Sequence, residues 1–297
     1  MAKTFFKRYI WLVDLLSRRG YISFQEISDA WEMSPLNDTG APLSERTFFN
    51  HRDAIFDIFG IEIKNDRTLG FYIASSDMDG DSTAQWMLHS LCLNNVLTEN
   101  TDMKHRILVE KAPSGEKYLT EVISAMRAGK VISLTYQSFN RPESHTFEVR
   151  AYCVKYFKQR WYMLGDTNLG MRIFALDRFV DMEELYKDYA IPEKFDAEEY
   201  FNNYFGVIIG NETVTDVVIR VEPSQAKYFR SLPKHHSQKE AEPVDGWPVF
   251  TYRVAPTFDF KQEILSNGAN VEVLAPESLR NDIASIADAM NKTYTKQ

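Results

Sequence analysis

The segment 159–179, QRWYMLGDTNLGMRIFALDRF, constrains the fold more than any other stretch of the chain. Two β-favouring runs, 160–165 and 171–176, flank a five-residue turn at 166–170 with a glycine on either side of its polar centre. That pattern predicts a β-hairpin. Side chains of a strand alternate between faces, which puts Arg172, Phe174, Leu176 and Arg178 on one face of the second arm. An arginine at each end of an apolar face needs an anion or a set of acceptors. Two sources are open. Acidic neighbours such as Asp166, Asp177, Asp181 or Glu183 can hold the two guanidinium groups as barrel-stabilising ion pairs, or a bound anionic ligand can complete them.

The run Trp161-Tyr162-Met163-Leu164 and the Arg-x-Phe-x-Leu-x-Arg pattern at 172–178 resemble the WYL domain. Where that family often carries a Pro-Tyr pair, this chain has Ala151-Tyr152. The resemblance implies an SH3/Sm-like β-barrel that senses a ligand, in bacterial transcription regulators with an N-terminal winged helix-turn-helix.

The remaining sequence can be read independently. At 297 residues the chain has room for two or three domains. Hydrophobic residues make up 44% and charged residues 26%, so it belongs with globular rather than disordered chains. No apolar run approaches the roughly 18 residues of a membrane span. The apolar residues of the first twenty positions are broken by Lys7, Arg8 and Asp14 and fall at helical spacing, unlike a signal peptide. Cys92 and Cys153 are the only cysteines, which suggests neither a disulfide framework nor a thiolate metal site and fits a reducing cytoplasm. A net charge of −8 argues against diffuse attraction to DNA, so any DNA contact has to come from a local patch.

Residues 1–76 read as a winged helix-turn-helix. A helix over 5–18 stops at Gly20. Ser23 and Glu26 form a capping box for a helix at 24–33. A turn-rich loop at 34–42 precedes a third helix, capped by Ser44 and ended by Gly60. Strands at 61–64 and 71–74 make the wing. At about 100° per residue, Arg52, Ile55, Phe56 and Phe59 share the core side with Phe48. Arg46, Asn50, Asp53 and Asp57 lie opposite, with Thr47 and His51 on the flank. Arginine suits guanine and asparagine suits adenine in the major groove. The candidate DNA-binding residues are therefore Arg46, Thr47, Asn50, His51 and Arg52 on the helix, with Arg52 either structural or on phosphate, and Lys64 and Arg67 on the wing. Ser44–Thr47 with Arg52-Asp53 resembles the recognition helix of bacterial winged-helix repressors. The blander alternative is a polar helix face on a packing domain.

Residues 77–129 read as a helical linker: a polar break at 77–82, a helix at 83–97, a strand at 104–111, a turn at 113–115 and a helix at 116–128. The helix at 83–97 offers either a seam to a second subunit or packing on its own chain. Residues 130–190 read as the barrel, with strands at 131–137, 145–158, 160–165 and 172–176. Positions 141–160 carry five basic and two acidic residues, with aromatics interleaved. Basic groups beside aromatic faces suit phosphates and stacked bases. The candidate effector-binding residues are Tyr136, Arg150, Tyr152, Lys155, Arg172, Phe174 and Arg178. An acidic connector is expected at 181–204.

Residues 191–297 predict alternating strands (213–221, 248–255, 271–274) and helices (223–231, 258–266, 276–294), with one further strand near 237–242. That is an α/β sandwich of ferredoxin-like kind, similar to the C-terminal extension that accompanies WYL domains. His236-Ser237-Gln238 matches a recurrent element there. His235-His236 has no third ligand at metal spacing. No phosphate-binding glycine loop, nucleophile elbow or zinc-helix motif is present.

The expectation is a multidomain α+β, cytoplasmic, homodimeric bacterial regulator, not an enzyme, with no cofactor and no metal. Its partners are double-stranded DNA and an anionic small-molecule or nucleic-acid effector, with no membrane. The alternative is an accessory protein that binds single-stranded nucleic acid through the barrel and duplex only weakly.

Overall fold

The computed structural model describes residues 2–74 and 115–295, with the single positions 86, 90, 93, 106 and 108 between them. Those single positions and Gly115 aside, the expected break at 77–82, helix at 83–97, strand at 104–111 and turn at 113–115 lie outside the described residues. The chain divides into two compact units, 1–110 and 111–297.

The first unit holds three helices, α1 (Ala2–Arg19), α2 (Phe24–Glu32) and α3 (Glu45–Phe59), then a hairpin of β1 (Ile63–Asp66) and β2 (Gly70–Ile73). The caps form as their residues dictate. Ser23 and Glu26 satisfy each other's backbone amides at the start of α2, Ser44 Oγ accepts the Thr47 amide, and Gly60 ends α3 in the left-handed conformation. The loop at 34–42 is tied by Asn37, whose amide group donates to the carbonyls of Trp31 and Ala41. Leu12, Leu16, Ile27, Phe48, Ile55 and Phe71 fill one core.

The buried face of α3 differs from the expected one. Phe48, His51 and Ile55 are buried, while Phe56 is 53% exposed. The face is rotated toward His51 because α1 packs there: the rings of Phe5 and Tyr9 meet His51 edge-on at 6.3 and 5.2 Å.

In the second unit, α4 (Glu116–Ala128) precedes strands β3 (Lys130–Tyr136), β4 (His145–Phe157), β5 (Arg160–Thr167), β6 (Gly170–Ala175) and β7 (Phe179–Asp188). They form an antiparallel sheet in the order β6-β5-β4-β3-β7. Three expectations are corrected here. The hairpin pairs Thr167 with Gly170, so its turn has two residues, not five. The strand stops at Ala175, and Leu176–Arg178 is a 3-10 turn, so Arg178 does not continue the face of Arg172. The acidic stretch read as connector from 181 is instead the outer part of a fifth strand, whose Phe179 enters the core. Helix α4, expected in a linker, packs Tyr118, Val122 and Ala125 on Ile132, Leu134 and Met163 of this sheet.

The last part runs β8 (Thr215–Val221), α6 (Pro223–Ser231), β9 (Lys239–Val244), β10 (Trp247–Val254), α7 (Phe258–Leu265), β11 (Val271–Ala275) and α8 (Glu277–Thr295), after a short α5 (Ala197–Phe201). The sheet order is β11-β8-β10-β9, antiparallel throughout. Alternate residues Val217, Ile219 and Val221 of β8 face Phe229, Phe260 and Leu279 from the helices. Phe157 at the end of β4 packs against this second core, and its ring meets Phe205 at 5.8 Å.

Candidate functional site

In the first unit, the start of α3 presents Arg46 and Asn50 to solvent. Thr47 is half-buried, and its hydroxyl lies 2.8 Å from that of Ser44. Arg67 is exposed at the hairpin tip, where Asp66 Oδ1 accepts the Thr68 and Leu69 amides. Three candidates are otherwise engaged. Arg52 donates to Asp53 at 2.8 and 3.0 Å and lies over the Phe49 ring. Lys64 sits 2.9 Å from Glu62. His51 is only 5% exposed, so it cannot touch DNA and that assignment is corrected. Burial, helped by the nearby charge of Arg8, holds its imidazole down at about 4.

In the second unit, a cavity of about 640 Å³ runs along edge strand β6. That volume suits a small ligand. Four of the seven candidate effector residues line it: Tyr136, Arg172, Phe174 and Arg178. The Tyr136 hydroxyl accepts the Ala175 amide at 3.3 Å, which ties β3 to the end of β6. Phe174 is buried and packs its ring on Tyr136 and Phe147.

The two arginines differ from each other. Arg172 is exposed on β6, where its cross-strand partner is Gly165. Among the described residues it has neither a carboxylate nor a carbonyl partner. Arg178 is half-buried, its Nε has no hydrogen-bond partner among the described residues, and its guanidinium lies 3.8 Å from the centroid of Phe139. The acidic neighbours proposed for these groups are used elsewhere or stay apart. Asp166 pairs with Arg150 at 2.9 Å and Asp177 with Arg160 at 3.3 Å.

The other three candidates lie away from the cavity. Arg150 is held by Asp166. Tyr152 packs against Phe195. Lys155 donates to the Gly206 carbonyl at 2.7 Å and lies over the Phe201 ring. Burial there depresses its ammonium to about 8. These assignments are corrected: Arg150, Tyr152 and Lys155 are spent on internal contacts of the second unit.

Several lining residues escaped the sequence reading. Arg141 comes from the turn after β3 and His145 opens β4, with Arg141 Nη1 3.4 Å from His145 Nε2. Lys158 lines the cavity while paired to Glu263 at 3.2 Å. Val207, Ile208 and Asp259 form a wall from the C-terminal part, more than 30 positions beyond the hairpin. No local pattern signals such a wall, because contacts between distant segments bring it there, among them the packing of Phe205 on Phe157 and the bond from Lys155 to Gly206. Tyr162, from the motif itself, also faces the cavity, and burial raises its phenol above the usual range.

A WYL-domain model matches residues 117–184, and a WCX-domain model matches residues 213–290. The chain is a WYL-domain protein. The WYL match begins inside α4, in keeping with the packing of that helix on the sheet, and ends within β7. The WCX match spans the second sheet and most of α8. No curated protein matches the sequence. Among solved structures, the chain is similar to proteasome accessory factor B/C (PafBC) of Arthrobacter aurescens, with 16% identity and a TM-score of 0.36. That match covers 93% of this chain and 46% of the other, so the chain spans less than half of PafBC's length. A CRISPR Cas-related protein is similar at 12% identity and a TM-score of 0.42, covering 98% of this chain and 85% of that one.

Among the described residues, no helix is long and apolar enough to cross a membrane. His235 and His236 stack at 4.0 Å, and His235 Nδ1 lies 2.7 Å from the Ser237 hydroxyl.

Proposed function

We propose that this WYL-domain protein is a cytoplasmic bacterial transcription regulator, homodimeric, that binds double-stranded DNA through its first unit and an anionic effector through its WYL domain. The observation that carries the effector half is the cavity on β6. Arg172 and Arg178 line it without a carboxylate partner among the described residues, and Arg141 adds a third guanidinium to the same rim. A basic cavity walled by aromatic rings suits a phosphate joined to a planar group, hence a nucleotide or nucleic acid.

The DNA half is supported by the order of three helices and a hairpin, which we read as a winged helix-turn-helix with α3 as recognition helix. Arg46 and Asn50 stand exposed at its start, where such helices touch base edges. We read the five-stranded sheet as an SH3-like barrel and the split β8–β11 order as ferredoxin-like. In this reading the chain binds and does not catalyse. An effector that favours one arrangement of the chain shifts DNA affinity by its differential affinity alone.

A gel shift of the full chain on its own promoter region, with salt varied, tests the proposal. Duplex binding that is lost in Arg46→Ala and Asn50→Ala supports it. The aromatic, basic lining of the cavity also favours a second reading, an accessory protein for single-stranded nucleic acid with weak duplex binding. Single-strand binding lost in Arg172→Ala, with no sequence preference on duplex, selects that reading.

A further inference from the structure

Phe139 lies on the turn between β3 and β4, and its ring is 73% exposed. The Arg178 guanidinium carbon sits 3.8 Å from the ring centroid. A planar guanidinium stacked on a ring uses its face and keeps the N–H edge free for a forked hydrogen bond. Arg178 spends none of that edge on a described carboxylate, and among the described residues its buried Nε has no acceptor.

The backbones carrying the two side chains are tied together. The Gln137 amide donates to the Arg178 carbonyl at 3.1 Å. The Gln137 side chain donates to the carbonyls of Ser138 and Arg141, at 3.1 and 2.8 Å, and Ser138 Oγ accepts the Asn140 amide. The turn is therefore folded against the 3-10 segment that bears Arg178, and it places Arg141 on the cavity in the same step.

We infer that Phe139 is a positioning residue of the cavity: its ring holds the guanidinium of Arg178 in one plane, with the N–H edge ready for a phosphate oxyanion. This rests on the anionic-effector reading above and deepens it. A free arginine loses side-chain entropy when it grips an anion, and the stack removes part of that loss before the ligand arrives. The shared chemistry is a phosphate monoester or diester, so a mononucleotide and a single-stranded polynucleotide are both sources of it.

The test uses the full chain with two probes, a fluorescent adenylate and a fluorescently labelled oligothymidylate, each followed by anisotropy at fixed salt. Whichever probe binds identifies the source. Phe139→Ala is expected to weaken that binding roughly three- to thirtyfold, the scale of one cation–π contact. Phe139→Tyr, which keeps the ring, is expected to bind within about twofold of the parent, on the same scale. Arg178→Ala is expected to lose at least as much as Phe139→Ala. Adding Phe139→Ala to Arg178→Ala is then expected to change little, because the two act as one unit. An equal loss in both backgrounds means that the ring touches the ligand itself, and overturns the positioning role. Loss in Arg178→Ala with none in Phe139→Ala overturns the inference and leaves the effector reading intact. A parent chain that binds neither probe overturns both. The stack can also be read with no ligand: the side-chain protons of Arg178 are expected upfield by ring current, and to move downfield in Phe139→Ala. Unshifted Arg178 protons in the parent chain overturn the inference.

Discussion

Asp259 Oδ2 accepts the backbone amide of Val207 at 2.9 Å, and the neighbouring Ile208 amide at 2.8 Å reaches the same oxygen. One carboxylate at the start of α7 thus pins the irregular segment that lines the cavity beside β6. On the other side of that wall, Lys155 of β4 donates to the Gly206 carbonyl. The WYL sheet and the C-terminal part grip the same three residues. Replacing Asp259 by Ala leaves two amides without their acceptor. The expected loss is roughly 1–3 kcal/mol of stability, from the scale of unmade hydrogen bonds. Chemical denaturation of the full chain measures it, and an unchanged midpoint would contradict the pinning role.

Gly206 between these anchors has φ +88°, and a Cβ there would collide with the Asp259 carboxylate and the Phe157 ring. Gly206→Ala is expected to destabilise the second unit by more than about 1 kcal/mol, since both the backbone conformation and the space exclude a side chain. A thermal midpoint equal to that of the parent chain would refute this.

Arg172 and Arg150 are both arginines of the same sheet, yet they should separate cleanly. Arg172 is exposed and has no partner among the described residues, so Arg172→Ala is expected to change stability by no more than about 0.5 kcal/mol while weakening the binding of anionic probes. Arg150 is held by Asp166, away from the cavity, so Arg150→Ala should leave probe binding as it was. Titration of both variants with the same probe decides it, and equal losses would place the site elsewhere.

On duplex DNA, Arg46→Ala and Asn50→Ala are each expected to cost about 1–3 kcal/mol against a cognate site, with relaxed preference at one base position. His51 is buried and cannot give such a pattern. Competition between matched and mismatched duplexes distinguishes base reading from contact with phosphate, which weakens all sequences alike.

Acid should act on the first unit through His51. Its imidazole stays neutral down to about pH 4 in the fold and takes up a proton near 6.5 when unfolded. Between those values the unfolded chain binds more protons, so stability rises with pH there and is lost as pH falls from about 6.5 toward 4. Removing the group removes its share: His51→Phe, beside Phe5 and Tyr9, is expected to flatten the pH dependence of unfolding over that range. Denaturation midpoints at several pH values check this, and an unchanged slope would rule it out.

Local chemistry in the sequence was enough to set most helix ends and several strands of this protein, though not β7, whose acidic outer part read as a connector. Ser23 with Glu26, Ser44 and Gly60 set helix ends within a residue or two, because caps act over a single turn. The alternation in 215–221 and 247–254 set two strands of the C-terminal sheet. The Trp-Tyr-Met-Leu run with its arginine pattern pointed to the domain that residues 117–184 carry. Tertiary structure alone decided which side chains meet. His51 is buried because α1 crosses α3 on that side, a fact absent from the periodicity of α3 itself. Lys155 is spent on Gly206, and Val207, Ile208 and Asp259 enter the cavity from far along the chain, since packing of Phe157 and Phe205 joins the two cores. Alternation assigns a residue to a face of its strand, but what lies opposite that face is fixed by contacts between distant segments.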